Sequence, residues 1–118
     1  MQNNPMDNII MAAAERLVRL LVEKKYSEIA LITKNQRLTE TQISEAISEY
    51  GRTLINPPSS FPESVDITPV IDSNPPRWSV DFPLWTLEEG ESDLSIEMTC
   101  YDNGNDELEI ELDGIHVL

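Results

Sequence analysis

The sequence predicts an α+β fold, with two to three N-terminal helices packed on a C-terminal antiparallel sheet of about four strands. Apolar residues recur at helical spacing before Gly51 and alternate with polar residues after Val65. Between these parts, residues 56–62 contain three prolines and two serines, which cannot continue a helix. We expect one domain of three parts: a helical part at 7–51, a connector at 52–64 and an acidic antiparallel sheet at 65–118, together residues 1–118.

The first two helices are indicated by caps and apolar spacing. Asp7 or Asn8 provides a side chain suited to capping the first helix. The apolar positions of this helix share one face, and they are Ile10, Ala13, Ala14, Leu17, Val18 and Leu21. A short second helix is predicted over residues 26–32, with Ile29 and Ile32 facing inward.

The third helix has the clearest start and stop signals. Thr39 and Gln42 have the spacing of a capping box, in which each side chain bonds a free backbone N–H of the first turn. Gly51 suits the left-handed position that commonly ends a helix. A helix over residues 39–51 is therefore predicted.

The strands are predicted from period-two alternation. The first candidate covers residues 65–71, where Pro69 favours an edge position or a bulge. Residues 78–82 and 94–98 then alternate apolar and polar side chains, which gives each strand one face of each kind. These two runs and the connection between them form the centre of the predicted sheet.

The last part of the chain continues the meander. Residues 102–106 carry an Asn-Gly turn signal typical of a hairpin. Leu108, Ile110 and Leu112 form the apolar side of the next strand, and Asp113-Gly114 predicts a further turn.

The charge is concentrated in the C-terminal half. The formal net charge is −14, and Met1 to Arg52 contains equal numbers of basic and acidic residues. Everything after Arg52 has one basic residue, Arg77, so this half alone carries the negative excess. Such a field repels nucleic acid and anionic membranes and attracts a basic partner. The alternative is that the charge only keeps the protein in solution.

Seven acidic residues are the candidate partner-binding set. Four surround Gly90 in the connection between the two central strands, with no Lys or Arg close in sequence, and three lie on the polar sides of strands. Like charges facing one another across strands are destabilising, so a positively charged partner is one reason to keep them. The set is Glu88, Glu89, Glu91, Asp93, Glu97, Glu109 and Glu111.

No catalytic, metal or cofactor site is predicted. His116 and Cys100 are the only residues of their types, so neither a nucleophilic triad nor a zinc site can be assembled, and we expect no enzyme activity. The chain has no apolar run of about 18 residues, and residues 1–8 lack the basic start of a signal peptide. Together with the lone cysteine, these features predict a cytoplasmic protein.

The residues also resemble a known class of proteins. The run from Pro83 to Leu94, the ending Leu112 to Leu118, and the positions Tyr26 and Tyr50-Gly51 resemble a family of small bacterial proteins that look like immunity proteins of polymorphic toxin systems, including contact-dependent growth inhibition. The resemblance implies a cytoplasmic protein that binds a cognate toxin domain, often a basic nuclease, and blocks its active site or substrate path.

Two other functions remain open from the sequence. A curved sheet of cystatin-like or nuclear-transport-factor-like form would enclose a small-molecule or enzymatic pocket lined by Trp78, Phe82 and Trp85, with a carboxylate such as Asp81. The same aromatic residues are also expected to fill the core, and the sequence favours that role over a pocket. Alternatively, rows of acidic side chains imitate nucleic-acid phosphates and occupy a nucleic-acid-binding protein.

Overall fold

A computed structural model describes residues 5–34, 36–104 and 108–118. The chain forms three helices, a short 3₁₀ helix and five strands, which confirms the predicted α+β arrangement. In chain order these are α1 (Pro5–Val22), α2 (Tyr26–Ile32), α3 (Glu40–Tyr50), β1 (Leu54–Ile55), the 3₁₀ helix (Phe61–Ser64), β2 (Asp66–Pro69), β3 (Arg77–Thr86), β4 (Gly90–Asp102) and β5 (Leu108–Val117).

The helix signals are confirmed at α3 and shifted at α1. The Thr39 side chain accepts a hydrogen bond from the Gln42 N–H, and the Gln42 side chain accepts one from the Thr39 N–H, which completes the capping box. Gly51 follows with φ of 72°, a left-handed conformation that glycine adopts without a side-chain clash. α1 already includes Pro5, a residue well suited to a first turn. Asp7 and Asn8 therefore lie inside the helix, and neither is its cap.

The sheet is antiparallel and centred on β3. Its strand order is β1-β3-β4-β5, and β2 pairs with the other half of β3. β1 aligns Leu54 with Thr86, whereas β2 aligns Asp66 with Asp81. β2 and β5 therefore lie at opposite edges of the sheet. For β2, an edge position is one of the two outcomes that Pro69 predicted.

The core lies between the helices and one face of the sheet, which we call the inner face. β3, β4 and β5 contribute alternate side chains to it, and the helices contribute their apolar stripes. Fully burying one such side chain stabilises the fold by about 1.5–3 kcal/mol. Buried members include Ile10, Leu17, Leu21, Ile29, Ile43, Val80, Phe82, Ile96, Met98 and Leu112. The opposite face, which we call the outer face, has no helix packed on it among the described residues.

Two features of the sheet differ from the prediction. The connector expected at 52–64 contains β1 and the 3₁₀ helix, because Leu54 and Ile55 pair with the end of β3. Asp113-Gly114 is not a turn, since β5 continues to Val117. The register against β4 shifts there, and Asp113 is the extra residue of a β-bulge. An Asp-Gly pair is compatible with either a turn or a β-bulge, and the pairing of β5 with β4 favours the bulge.

The turn predicted at 102–106 lies partly outside the described residues. Asp102 ends β4, and Gly104 has φ of 84° with its N–H bonded to the Asp102 carboxylate. Among the described residues, none of the helices has both the length and the apolar character needed to cross a bilayer.

Candidate functional site

Three carboxylates form a row across the outer face. Asp66 on β2 aligns with Asp81 on β3, and Asp81 aligns with Glu97 on β4. Directly opposed residues of antiparallel strands project from the same face, with Cβ atoms about 4.5–5.5 Å apart. We call Asp66, Asp81 and Glu97 the carboxylate row.

The carboxylate row is electrostatically uncompensated at its centre. Partial burial raises the pKa of Asp81, and the negative charges of Glu97, Asp66 and Asp113 raise it further. No lysine or arginine among the described residues pairs with any of the three carboxylates. In the described part of the chain, the one basic side chain within 4 Å of the row is His116, whose Nε2 lies 2.6 Å from Glu97 Oε2. The sheet thus holds like charges side by side, an arrangement that costs stability.

The bulge in β5 is what brings His116 to Glu97. Glu97 aligns with Gly114, and the imidazole of His116 lies over this glycine. A Cβ at position 114 would collide with the imidazole. Gly114 therefore leaves room for the close approach of the His116 imidazole in this arrangement.

A shallow depression of about 300 Å³ adjoins the carboxylate row. Its acidic lining consists of Asp66, Asp81, Glu91 and Asp93. Serine side chains are interspersed with the acids, and the Ser64 hydroxyl donates a hydrogen bond of 3.3 Å to Glu91. This concave acidic surface suits basic side chains of a partner better than it suits an anion.

Glu109 and Glu111 on β5 lie on the same side but have partners within the chain. Lys34 Nζ lies 3.0 Å from Glu109 Oε1, and Arg37 Nε lies 3.7 Å from Glu111 Oε2. A hydrogen bond from Asn103, followed by the interaction with Lys34, lowers the pKa of Glu109. The loop after α2 therefore neutralises part of this edge.

Glu88 and Glu89 connect parts of the fold. Glu88 accepts hydrogen bonds from the Thr53 N–H at 2.8 Å and the Thr53 hydroxyl at 2.9 Å, and the backbone bond is the main reason that its pKa is lowered. Glu89 accepts a hydrogen bond of 2.8 Å from the Tyr50 hydroxyl, and Arg52 Nε lies 3.7 Å from its carboxylate. The turn between β3 and β4 is thereby fastened to the end of α3.

The predicted set is therefore divided among three environments. Glu91, Asp93 and Glu97 belong to the open acidic surface, and Glu88 and Glu89 have structural contacts at the turn. Glu109 and Glu111 pair with Lys34 and Arg37 at the β5 edge. Sequence reasoning omitted Asp66 and Asp81 from the set. Both alternate with inward apolar residues, which places them on the polar face, but their alignment with Glu97 depends on strand register.

The aromatic residues of the alternative pocket lie elsewhere. The Phe61 ring packs edge-on against Phe82 and Trp85, with centroids 5.7 and 5.9 Å apart. Phe82 is 1% exposed and Trp78 is partly buried against the core, while Asp81 projects from the opposite face of β3. Within the described part of the chain, no group of three or more histidine, cysteine or acidic residues has an arrangement suited to a metal ion.

Comparison with known proteins identifies a family. Comparison with curated proteins gave no match, and comparison with solved structures gave none either. A family model described as "Domain of unknown function (DUF7668)" matches residues 18–118, a range that begins within α1 and includes the whole sheet and the carboxylate row. The chain therefore belongs to the DUF7668 family.

Proposed function

We propose that this protein is an immunity protein that binds and neutralises a cognate, basic toxin domain through the outer face of its sheet. The observation that carries the proposal is the carboxylate row, in which Asp81 has an acidic neighbour on each side and no basic one. A partner that places lysine or arginine side chains among these carboxylates would remove their repulsion. Binding, without catalysis, is the proposed activity.

The charge distribution supports this type of partner. The net charge of −14 lies entirely after Arg52, and the outer face lies in this half. A concentrated negative field increases the association rate with a basic protein and disfavours nucleic acid. A nuclease toxin presents a basic surface to its substrate, so an acidic protein bound there would block substrate access. The proposed site of action is the cytoplasm, and no cofactor is involved.

The first experiment is a pull-down against the product of the gene immediately upstream, at low and high salt. We expect a one-to-one complex whose affinity falls as salt screens the charges. The variants Glu97→Lys and Asp93→Lys should each weaken the complex by about tenfold or more, which corresponds to about 1.4 kcal/mol. Glu45→Lys is the matched control, since Glu45 is exposed on α3, away from the outer face.

Three results would decide against the proposal. These are the absence of a complex, an affinity independent of salt, or equal weakening by Glu97→Lys and its control. Toxicity assays of the upstream product, with and without the present protein, distinguish neutralisation from simple binding.

A further inference from the structure

The free edge of β2 has hydrogen-bonding groups directed away from the sheet. Within the described residues, β2 pairs with β3 alone. The Val70 N–H bonds the Arg77 carbonyl at 3.0 Å, and bonded pairs alternate with non-bonded ones along an antiparallel ladder. The backbone N–H and C=O groups of Asp66 and Thr68 therefore point toward β3, whereas those of Ile67 point toward the free edge.

A groove of about 620 Å³ lies along this edge, between β2 and the first turns of α1. Its apolar surface comes from Met11, Val65 and Ile67, all partly buried and packed against the core. Ile67 projects from the inner face and Asp66 from the outer face, yet both line the groove. The groove therefore follows the strand edge and reaches both faces of the sheet.

The rim of the groove is acidic. Asp7, Glu63 and Asp66 line it, and no lysine or arginine does. Among the described residues, no ion pair or side-chain hydrogen bond involves these three carboxylates. An occupant that complements this groove needs apolar side chains for the floor and positive charges for the rim.

We propose that this groove takes a short extended segment of a partner protein, with alternating basic and apolar side chains, which pairs with Ile67 as an additional strand. In a strand, alternate side chains point to opposite faces, so apolar ones reach the floor while basic ones reach Asp66. Pro69 has no N–H and limits the pairing to a few residues. The inference rests on the proposed function for the nature of the partner, a basic protein, and Asp66 joins the groove to the carboxylate row.

The test uses a capped hexapeptide of alternating lysine and valine, titrated into ¹⁵N-labelled protein. We expect chemical-shift changes at Met11, Val65 and Ile67 and slower hydrogen exchange of the Ile67 amide. Peptides alternating lysine with serine, or glutamate with valine, should bind at least about tenfold more weakly. Equal binding of the lysine–serine peptide, shifts located elsewhere, or preference for a helical basic peptide would overturn the proposal.

Two variants separate backbone pairing from charge. Ile67→Pro removes the outward N–H of the edge strand, and Glu63→Lys reverses a rim charge that lies outside the carboxylate row. Both should weaken peptide binding by about tenfold or more, while Glu45→Lys should not. Unchanged affinity in a folded Ile67→Pro protein would exclude strand addition, and Glu63→Lys tests the groove even if Ile67→Pro does not fold.

The upstream gene product distinguishes the two proposals. A complex weakened by Glu97→Lys but unaffected by Ile67→Pro and by Glu63→Lys would leave the immunity function standing and overturn the groove. Specific pairing of the peptide with β2, without any complex with the upstream product, would support the groove and overturn the immunity function.

Discussion

At the scale of single residues, burial determines the chemistry of Cys100. Its side chain is fully buried on the inner face of β4. Burial, with a smaller effect from the Asp113 carboxylate, raises the pKa of the thiol to about 12. Since the thiolate is the reactive form, the folded protein should contain a chemically inert cysteine.

We expect native Cys100 to react with a thiol reagent such as DTNB far more slowly than a free thiol at mildly alkaline pH. The same protein unfolded in guanidinium chloride should react fully, and it serves as the control. Rapid modification of the folded protein would contradict the burial of this side chain.

The environment of Asp81 also disfavours the charged form, and here the effect should be measurable as stability. Asp81→Asn should increase the free energy of unfolding at neutral pH by about 0.5 kcal/mol, as like-charge repulsion across the strands is removed. Urea unfolding measures the effect, and Glu45→Gln, at an exposed position of α3, is the control.

The gain from Asp81→Asn should depend on pH. The pKa of Asp81 is raised in the folded state, so the fold favours the protonated carboxyl. This favourable contribution is fully present below the unfolded pKa, near 3.8, and is lost as pH rises through the folded pKa and the carboxylate becomes charged. The advantage of the variant should therefore shrink on acidification. An advantage that grows as pH falls would contradict the raised pKa.

At the scale of elements, caps and edges decide where each segment begins and ends. The capping box satisfies two backbone N–H groups of α3, and the left-handed Gly51 ends the helix. In the sheet, β2 is short and ends at Pro69, which has no N–H to offer at the free edge. The free edge that remains beside α1 is long enough for a short added segment only.

Thr39→Ala should lower the free energy of unfolding by about 1 kcal/mol, since it leaves the Gln42 N–H without its acceptor. Thr41→Ala, at an exposed position of the same helix, should be neutral or slightly stabilising because alanine is the better helix former. Denaturant unfolding compares the two variants. Equal losses would show that the cap contributes nothing of its own.

At the scale of the whole molecule, the net charge of −14 is placed on one half of the chain. The sheet carries this charge, while the loop after α2 supplies Lys34 and Arg37 to its β5 edge. The centre of the outer face and the rim beside β2 receive no such compensation from the described residues. The protein therefore keeps a directional negative field, which suits orientation of a basic partner.

Moderate salt should stabilise the isolated protein. Screening weakens the repulsion among carboxylates, and the few exposed ion pairs lose little in return. Thermal unfolding across a series of sodium chloride concentrations measures this effect, with sucrose at equal osmolarity as the control. A melting temperature that falls with added sodium chloride would contradict net repulsion as the dominant electrostatic effect.

Elements with local sequence signals were predicted well, and elements that depend on distant contacts were not. α2 and the capping box of α3 were predicted closely because their signals are local: helical spacing and side-chain bonds within one turn. β1 was missed because two residues form a strand only when the end of β3 lies beside them. The bulge at Asp113 differs from the predicted turn because the local Asp113-Gly114 sequence is compatible with both structures.

Periodicity and composition are properties of the chain alone, and they were enough to predict the α+β class, the acidic C-terminal half and the polar side of each strand. Which acids lie together depends on how the strands pair. Register aligned Asp66 and Asp81 with Glu97, and contacts distant in sequence engaged Glu88 and Glu89 at the turn. The number of charges follows from the sequence, but the repulsion between two charges depends on their distance. The distances between residues of different strands are fixed only when the chain folds.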